Sequence, residues 1–155
     1  MIGPFRTAAP EASEDSADLL LMPEATAADW AKVFAHAEPL RVAAGLAVLQ
    51  AGEEDRGLYL ITEGTLGVRL PRGEDAFKTI EAPAVVGELA FFDGLPRSAT
   101  LVAETDVEAV RLDPDGFERL AVSDPGLART LLLDLARILA LRLRIASDVI
   151  AELRA

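Results

Sequence analysis

The chain has 155 residues, 51% of them hydrophobic, and its 26 acidic and 15 basic side chains give a formal net charge of −11. That charge has the wrong sign for a protein that coats nucleic acid or anionic lipid, so we expect neither as a direct partner. The chain has no cysteine and a single histidine, His36. This composition excludes disulfides and cysteine-ligated metals and leaves too few imidazoles for a histidine-ligated ion, so we expect no metal site.

The N-terminal part of the chain has the composition of a flexible segment. Residues 1–17 are rich in Pro, Ala, Ser, Glu and Asp and show no apolar periodicity. The start of the chain lacks the apolar stretch of a secretory signal, and charged residues interrupt the most apolar stretch, residues 130–145. We therefore predict a flexible N-terminal segment over residues 1–22, a cytoplasmic location and no membrane contact.

A helix and a β-rich region are predicted next. Thr26 is typical of a helix N-cap, and Trp30, Val33 and Phe34 then lie at helical spacing. Between residues 40 and 113, short apolar runs alternate with turn residues, as in LRVAAGLAVLQAGEEDRGLYLITEGTLGV. Several short strands at such spacing indicate an all-β barrel or sandwich.

Two helices are predicted towards the C-terminal end. Each begins with an Asp that can cap the helix and a Pro at its first position, at Asp113-Pro114 and at Asp124-Pro125. The second helix is predicted over residues 125–153. At a rise of about 1.5 Å per residue it would be roughly 43 Å long, which exceeds what a small barrel covers, so part of it should project.

The apolar residues of this long helix form two seams. Seven follow a heptad spacing and are called here the heptad seam: Leu132, Ala136, Leu139, Leu143, Ala146, Ile150 and Leu153. Five others line an adjacent face: Leu131, Leu135, Ile138, Ile145 and Val149. Two interpretations are open: both seams form one wide face on the β-rich region, or one seam covers that region while the other meets a second copy of the chain.

The segment GELAFFDGLPRSAT, residues 87–100, carries the candidate ligand-binding side chains. It places Glu88 at the start of a short helix and Arg97 at the opening of a strand. The free amides of a helix N-terminus and the planar guanidinium of Arg97 both suit a phosphate, whereas the Glu88 carboxylate suits a sugar hydroxyl. A 3′,5′-cyclic nucleotide has both groups. The simpler interpretation is that Glu88 and Arg97 pair with each other or with surface charges, and the spacing alone does not decide between the two.

The combination of Gly87-Glu88-Leu89-Ala90 with Arg97-Ser98-Ala99 resembles the phosphate-binding cassette of the cyclic-nucleotide-binding domain family. The glycine-punctuated pattern of the β-rich region is similar to the β-roll of that family, and the resemblance runs from about residue 29 to the C-terminus. It implies a mainly β fold, an antiparallel double-stranded β-helix or jelly-roll-like β-roll. It also implies an N-terminal helix, a short cassette helix and two C-terminal helices, in one domain over residues 23–155.

The resemblance implies a role for each cassette residue. Glu88 would bind the ribose 2′-hydroxyl, and Arg97 the exocyclic oxygens of the phosphate. The rest of the implied binding set is Gly87, which gives room, Leu89, and the residues whose backbone amides complete the phosphate cradle, Ala90, Ser98 and Ala99. Serine after the arginine is frequent in bacterial cAMP receptors, whereas cGMP-selective members often have threonine, so Ser98 favours cAMP over cGMP.

The base of the nucleotide would lie against the β-roll and under the helix that follows it. The residues predicted to contact the base are Val68, Thr79, Ile145, Ala146 and Ser147. Family members often carry a Thr-Ser pair on this helix, and Ala146 lacks one of the two hydroxyls.

The implied function is that of a receptor or regulatory domain whose ligand is cAMP or cGMP. Binding would be signalled through the C-terminal helix to a homodimer partner or to an effector protein. The chain ends just after this helix, so we expect no DNA-binding module; we also expect no catalytic residue and no cofactor. Two alternatives stay open: a β-roll of the same fold that binds another ligand or none and acts as a protein-interaction module, and a cupin-like enzyme, which the single histidine disfavours.

Overall fold

The computed structural model describes residues 5–7, 20–69 and 78–154. Within these residues the strands are β1 Phe5–Thr7, β2 Leu20–Leu21, β3 Glu38–Val42, β4 Ala47–Leu49, β5 Leu58–Glu63, β6 Thr65–Arg69, β7 Lys78–Glu81, β8 Ala84–Val86, β9 Thr100–Ala103 and β10 Val107–Leu112. The helices are α1 Ala27–Phe34, α2 Glu88–Asp93, α3 Pro114–Ser123 and α4 Pro125–Arg154. No helix of the described residues has both the length and the apolar composition needed to cross a bilayer.

The strands form two sheets that face each other. One has the order β2-β1-β8-β5-β10-β3 and the other the order β4-β9-β6-β7. The pairs are antiparallel except for β1 and β8, which run parallel. The predicted fold class is confirmed: a mainly antiparallel β-roll with an N-terminal helix, a short helix between β8 and β9, and two C-terminal helices.

Strand β5 separates two hydrophobic cores. Its side chains alternate, so that Leu58 and Leu60 pack with the helices, and Tyr59 and Ile61 pack between the two sheets. Because both faces of β5 are buried, the run LYLI is apolar at every position, as is typical of a central strand. The short helix α2 packs against this strand.

Two pieces of the N-terminal segment belong to the fold, which differs from the prediction that residues 1–22 take no fixed structure. Strand β1 pairs with β2 and β8, and Phe5 is fully buried with its ring 4.8 Å from that of Trp30, edge to face. A single buried aromatic residue anchors the strand, and composition averaged over the whole segment does not reveal it. The remaining residues of the segment before β2, 1–4 and 8–19, lie outside the described residues.

Helix α4, predicted over residues 125–153, is 30 residues long and begins at Pro125. Asp124 caps it by accepting a hydrogen bond of 3.1 Å from the Leu127 amide. Its buried positions end at Ile138, so the C-terminal half lies largely beyond the core. The two seams separate accordingly: Leu131, Leu135 and Ile138 are buried, whereas Leu143, Ile150 and Leu153 of the heptad seam are 68%, 52% and 81% exposed.

Candidate functional site

A cavity of about 470 Å³ lies where helix α2 and the loop after it meet the β-roll. Volumes of this order are typical of sites for small organic ligands. Its walls are mainly apolar, from strands β4, β6, β7, β8 and β9, and the polar side chains converge from the cassette, from β7 and from α4. The lining residues are Leu49, Val68, Lys78, Ile80, Val85, Val86, Gly87, Glu88, Leu89, Ala90, Asp93, Leu95, Pro96, Arg97, Ser98, Ala99, Leu101 and Arg142.

Gly87 makes the close approach that brings α2 to this position. It precedes the helix with φ of +84°, and a Cβ added there would lie 2.8 Å from the Gly57 carbonyl oxygen and 2.7 Å from Nη1 of Arg97. No other residue fits without displacing one of these groups. The next residue, Glu88, therefore starts the helix with its side chain turned inward, and it is only 7% exposed.

Glu88 is paired across the cavity with a residue of the long helix. Nη1 of Arg142 donates a short hydrogen bond to Oε1 of Glu88, and these two atoms form an ion pair. A carboxylate has several acceptor lone pairs, so this contact leaves capacity for a further donor such as a hydroxyl. The pair is also a direct link between α2 and α4.

Arg97 is buried beneath the cassette, with only 6% of its surface exposed. Its Nη1 donates to the Gly87 carbonyl oxygen at 3.0 Å, and its Nη2 donates to the Gly57 carbonyl oxygen at 2.7 Å. Its guanidinium carbon lies 5.6 Å from the centroid of the Tyr59 ring. Its Nε finds no acceptor among the described residues. The buried cation is thus tightly placed, and one of its donors is unused.

Asp55 is the carboxylate that compensates the charge of Arg97, and it is shared. Its Oδ2 lies 3.1 Å from Nη2 of Arg97 and accepts from the Tyr59 hydroxyl at 2.6 Å, while its Oδ1 accepts from Nη2 of Arg111 at 2.7 Å. Burial alone would raise the pKa of Asp55, but the hydrogen bonds from Tyr59, Arg111, the Gly57 amide and Arg97 outweigh it and hold that pKa below its usual range.

The pKa of Tyr59, whose hydroxyl donates to Asp55, shifts in the opposite direction. Burial and the hydrogen bond to Asp55 raise the pKa of Tyr59 to about 12. Two arginines therefore face one ionised carboxylate, and the tyrosine hydroxyl stays protonated as a donor. The cluster keeps Arg97 oriented beside the cavity.

The simpler interpretation, that Glu88 and Arg97 pair with each other or with surface charges, describes the structure only in part, because the two side chains do not pair with each other. Glu88 pairs with Arg142, and Arg97 pairs with Asp55. Both side chains line one cavity while each has its own partner. This arrangement brings a carboxylate and a guanidinium to the same small volume without mutual neutralisation.

Most of the predicted site residues come together in the structure. The cavity is lined by Val68 and by the whole predicted cassette set: Gly87, Glu88, Leu89, Ala90, Arg97, Ser98 and Ala99. Four of the predicted base contacts are not among its lining residues: Thr79, Ile145, Ala146 and Ser147.

The four differences have geometric causes. Thr79 is exposed, because β7 begins at Lys78 and the alternation of the strand turns Lys78 and Ile80 inward. Ala146 and Ser147 are exposed on the far part of α4, and the Ser147 hydroxyl donates back to the Leu143 carbonyl oxygen at 2.8 Å. Ile145 is half-buried but lies outside the cavity lining.

Three residues that the sequence analysis did not select contribute to the site: Lys78, Arg142 and Asp55. Arg142 continues the face of α4 that carries Leu135 and Ile138, since residues four apart lie on one side of a helix. That periodicity is a usable signal for Arg142. Asp55 has no such signal, because its arginine partners are 42 and 56 positions away in the chain. Within the described ranges, no group of three or more histidine, aspartate or glutamate side chains could hold a metal ion.

The comparisons with known proteins agree with this geometry. A family model described as the cyclic nucleotide-binding domain matches residues 39–124. Among curated proteins, the CRP-like cAMP-activated global transcriptional regulator of Mycobacterium tuberculosis is 34% identical over 119 residues, which is 75% of this chain and 51% of the relative. A cAMP-dependent protein kinase regulatory subunit of Aspergillus fumigatus is 33% identical over 90 residues, which is 58% of this chain and 22% of the relative.

Solved structures give the same result for the fold. The catabolite activator protein of Thermus thermophilus superposes with a TM-score of 0.75 at 23% identity, over 86% of this chain and 62% of that one. The N-terminal domain of a transcriptional regulator from Streptomyces coelicolor A3(2) superposes with a TM-score of 0.68 at 27% identity, over 83% of this chain and 91% of that one. The chain spans about half the length of the Mycobacterium relative and about a fifth of the Aspergillus one. On these matches, the chain belongs to the cyclic nucleotide-binding domain family.

Proposed function

We propose that the chain is a receptor for a 3′,5′-cyclic nucleotide, cAMP ahead of cGMP, that signals binding through α4. The observation that carries the proposal is the pair of buried, oppositely charged side chains, Glu88 and Arg97, that line one cavity of suitable size without neutralising each other. A cyclic nucleotide presents one anionic diester beside one free ribose hydroxyl, which is the complement of this pair.

At the phosphate end, Arg97 is the cation that receives the diester. It shares its carboxylate partner with Arg111, so the cluster tolerates an added negative charge. Its planar guanidinium suits two phosphate oxygens. The backbone amides of Ala90, Ser98 and Ala99 complete the cradle in this proposal, and Gly87 and Leu89 shape it.

At the ribose end, Glu88 accepts a hydrogen bond from the 2′-hydroxyl while its Oε1 also accepts from Arg142. The base lies on the apolar wall of Leu49, Val68 and Leu101. The preference for cAMP rests on Ser98 and on the two curated relatives, whose names describe them as cAMP-activated and cAMP-dependent.

Signalling runs through the contact of Arg142 with Glu88, because a ligand that engages Glu88 acts directly on a residue that holds α4. The conformational equilibrium of α4 shifts when the nucleotide binds, and the helix then alters a homodimer interface or the surface seen by an effector protein. The exposed heptad seam supports the homodimer. The proposed location is the cytoplasm, and the net charge of −11 supports a role without direct contact to nucleic acid or anionic membrane.

One observation favours the alternative function, a β-roll that acts as an interaction module and binds no nucleotide. Glu88 and Arg97 already have protein partners, Arg142 and Asp55, so the site is largely satisfied as it stands. The two proposals differ in whether the cavity binds a cyclic nucleotide: the receptor does, and the interaction module does not.

Titration calorimetry with a set of nucleotides separates them. We expect micromolar or tighter binding of cAMP and cGMP, and binding of 2′-deoxy-cAMP weaker by roughly tenfold or more, because a hydrogen bond to a charged group is lost. The noncyclic nucleotide 5′-AMP should bind more weakly still, since its phosphate has a different position and charge. Equal affinity for 5′-AMP and cAMP would contradict the proposed geometry, and no binding of any nucleotide would support the interaction module.

A further inference from the structure

A loop of the β-roll, residues 52–57, runs along the underside of the cassette. Its backbone is hydrogen-bonded to Arg97 in both directions: the Gly52 amide donates to the Arg97 carbonyl oxygen at 2.8 Å, and the Arg97 amide donates to the Glu53 carbonyl oxygen at 2.9 Å. The same loop carries Asp55, which holds the Arg97 side chain. The loop therefore fixes the arginine end of the cassette.

The next residue in the loop, Arg56, reaches the other part of the cassette. Its Nη2 donates to the Phe91 carbonyl oxygen at 3.1 Å, and its Nε lies 3.4 Å from the Ala90 carbonyl oxygen. The Ala90 carbonyl oxygen also accepts from the Gly94 amide at 2.9 Å, whereas the Phe91 carbonyl lies in the last turn of α2, where helix carbonyls lack amide partners further along the helix. A cation at this end also interacts favourably with the partial negative charge of the helix terminus.

The close packing of Arg56 under the helix end is visible at Gly94. This residue ends α2 in the left-handed conformation, with φ of +69°, and a Cβ added there would lie 3.3 Å from Nε of Arg56. The guanidinium thus packs against the turn that terminates the helix. The side chain of Arg56 is exposed overall, yet its donors point to the cassette and not to a surface carboxylate.

We propose that Arg56 is a positioning residue for nucleotide binding, which together with Asp55 clamps the cassette at two points. Helix α2 has only six residues, too few to hold a helical conformation by itself, so contacts from outside must set its place. Arg56 sets the helix that carries Glu88, and Asp55 sets Arg97. Two adjacent residues thereby fix the distance between the ribose-binding and the phosphate-binding side chains. This inference rests on the proposed function.

The first test is the dissociation constant for cAMP of the wild type, Arg56→Ala and Arg56→Lys, measured by titration calorimetry. Arg119→Ala, on α3, is the control, because it removes the same charge outside the cavity lining. We expect Arg56→Ala to bind cAMP about five- to tenfold more weakly, which is the worth of one or two net hydrogen bonds. Arg56→Lys keeps the charge but not the planar pair of donors, so its dissociation constant should lie between those of the wild type and Arg56→Ala. The dissociation constant of the control should equal that of the wild type.

A second ligand distinguishes positioning from general destabilisation. In 2′-deoxy-cAMP the hydroxyl assigned to Glu88 is missing, so the placement of α2 matters less for its binding. We expect Arg56→Ala to weaken 2′-deoxy-cAMP by about twofold or less. An equal loss for both ligands, or no loss for either, would overturn the proposed role of Arg56.

Hydrogen exchange of the unliganded protein gives a result that needs no nucleotide. Amides of residues 87–99 should exchange faster in Arg56→Ala than in Arg119→Ala, while those of β5 and β10 should be unchanged. If the wild type bound no cyclic nucleotide, the proposed function would fail, and unchanged exchange would then reject the clamp as well. If Arg97→Ala lost cAMP and Arg56→Ala did not, only the clamp would be rejected.

Discussion

Lys78 adds a positive charge to a wall of the cavity that is otherwise apolar. It lies on the inward face of β7 with Ile80 and is paired in register with Val68 of β6, and all three side chains line the cavity. In the proposed complex this wall receives the base. Guanine presents two acceptors on one edge, O6 and N7, whereas adenine presents an amino donor beside N7. An ammonium group at this place therefore interacts more favourably with guanine.

We expect Lys78→Met to lower the affinity for cGMP by about fivefold or more and the affinity for cAMP by about twofold or less, which is the low end of what such base contacts contribute. Competition binding with both nucleotides measures the ratio directly. Lys32→Met, on α1, is the matched control because Lys32 pairs with Asp124 outside the cavity. A loss of the same size for both nucleotides, or an unchanged ratio, would show that Lys78 does not read the base.

The residues of the site differ in how far the sequence alone predicts them. Glu88 and Arg97 could be selected because their motif is local, within a single stretch of the chain. Thr79 was selected where Lys78 and Ile80 face the cavity, because a shift of one residue in a strand exchanges its two faces. Asp55 could not be found, since its role depends on arginines brought together only by the pairing of distant strands.

Helix α4 carries an apolar seam that the fold leaves uncovered. Leu143, Ile150 and Leu153 are more than half exposed, and all belong to the heptad seam. A repeat of this kind over the projecting half of a helix is typical of pairing between two helices. The homodimer proposed above would cover this seam.

We expect the wild type to sediment as a dimer at micromolar concentration and the double variant Leu143→Glu, Ile150→Glu to sediment as a monomer, because a dimer would bury the added charges without partners. Val122→Glu is the control: Val122 is 86% exposed on α3, away from the seam. Analytical ultracentrifugation with and without cAMP decides the matter. A wild type that stays monomeric at high micromolar concentration in both states would contradict the dimer.

The first residue of α4 could be predicted more easily than the residue at which this helix leaves the core of the domain. Asp124 and Pro125 mark the first turn by local chemistry, since one caps the helix and the other needs no amide partner. Where the helix leaves the core depends on the extent of the sheet beneath it, which no local pattern encodes. For that reason the predicted base contacts on α4 were placed beyond the residue that reaches the cavity, Arg142.

The protein as a unit is strongly acidic, yet its cavity collects positive charge. Three cationic side chains, Lys78, Arg97 and Arg142, line it against two carboxylates, Glu88 and Asp93, so the lining has a small excess of positive charge. An all-β fold was predictable because the strands are short and regularly separated by glycine-containing turns, whereas the β-roll was predicted from the family resemblance. Strand β1 was not, because Phe5 is the one apolar residue of its three and its partner β8 lies far along the chain.

The removal of Arg97 should affect ligand binding more than folding. In Arg97→Ala, Asp55 keeps its hydrogen bonds from Arg111, Tyr59 and the Gly57 amide, so no buried carboxylate is left without a partner. We therefore expect an unchanged far-ultraviolet circular dichroism spectrum. The affinity for the anionic ligand should nevertheless fall steeply.

Titration of the purified, ligand-stripped wild type and of Arg97→Ala with cAMP is the most direct test of the receptor function. The wild type should bind with micromolar or tighter affinity, and the folded variant should bind roughly tenfold to several hundredfold more weakly, as expected for the loss of one or two charged hydrogen bonds. Equal affinity of the two proteins, or a wild type that binds neither cAMP nor cGMP, would contradict the assignment of Arg97 and of the cavity to a cyclic nucleotide.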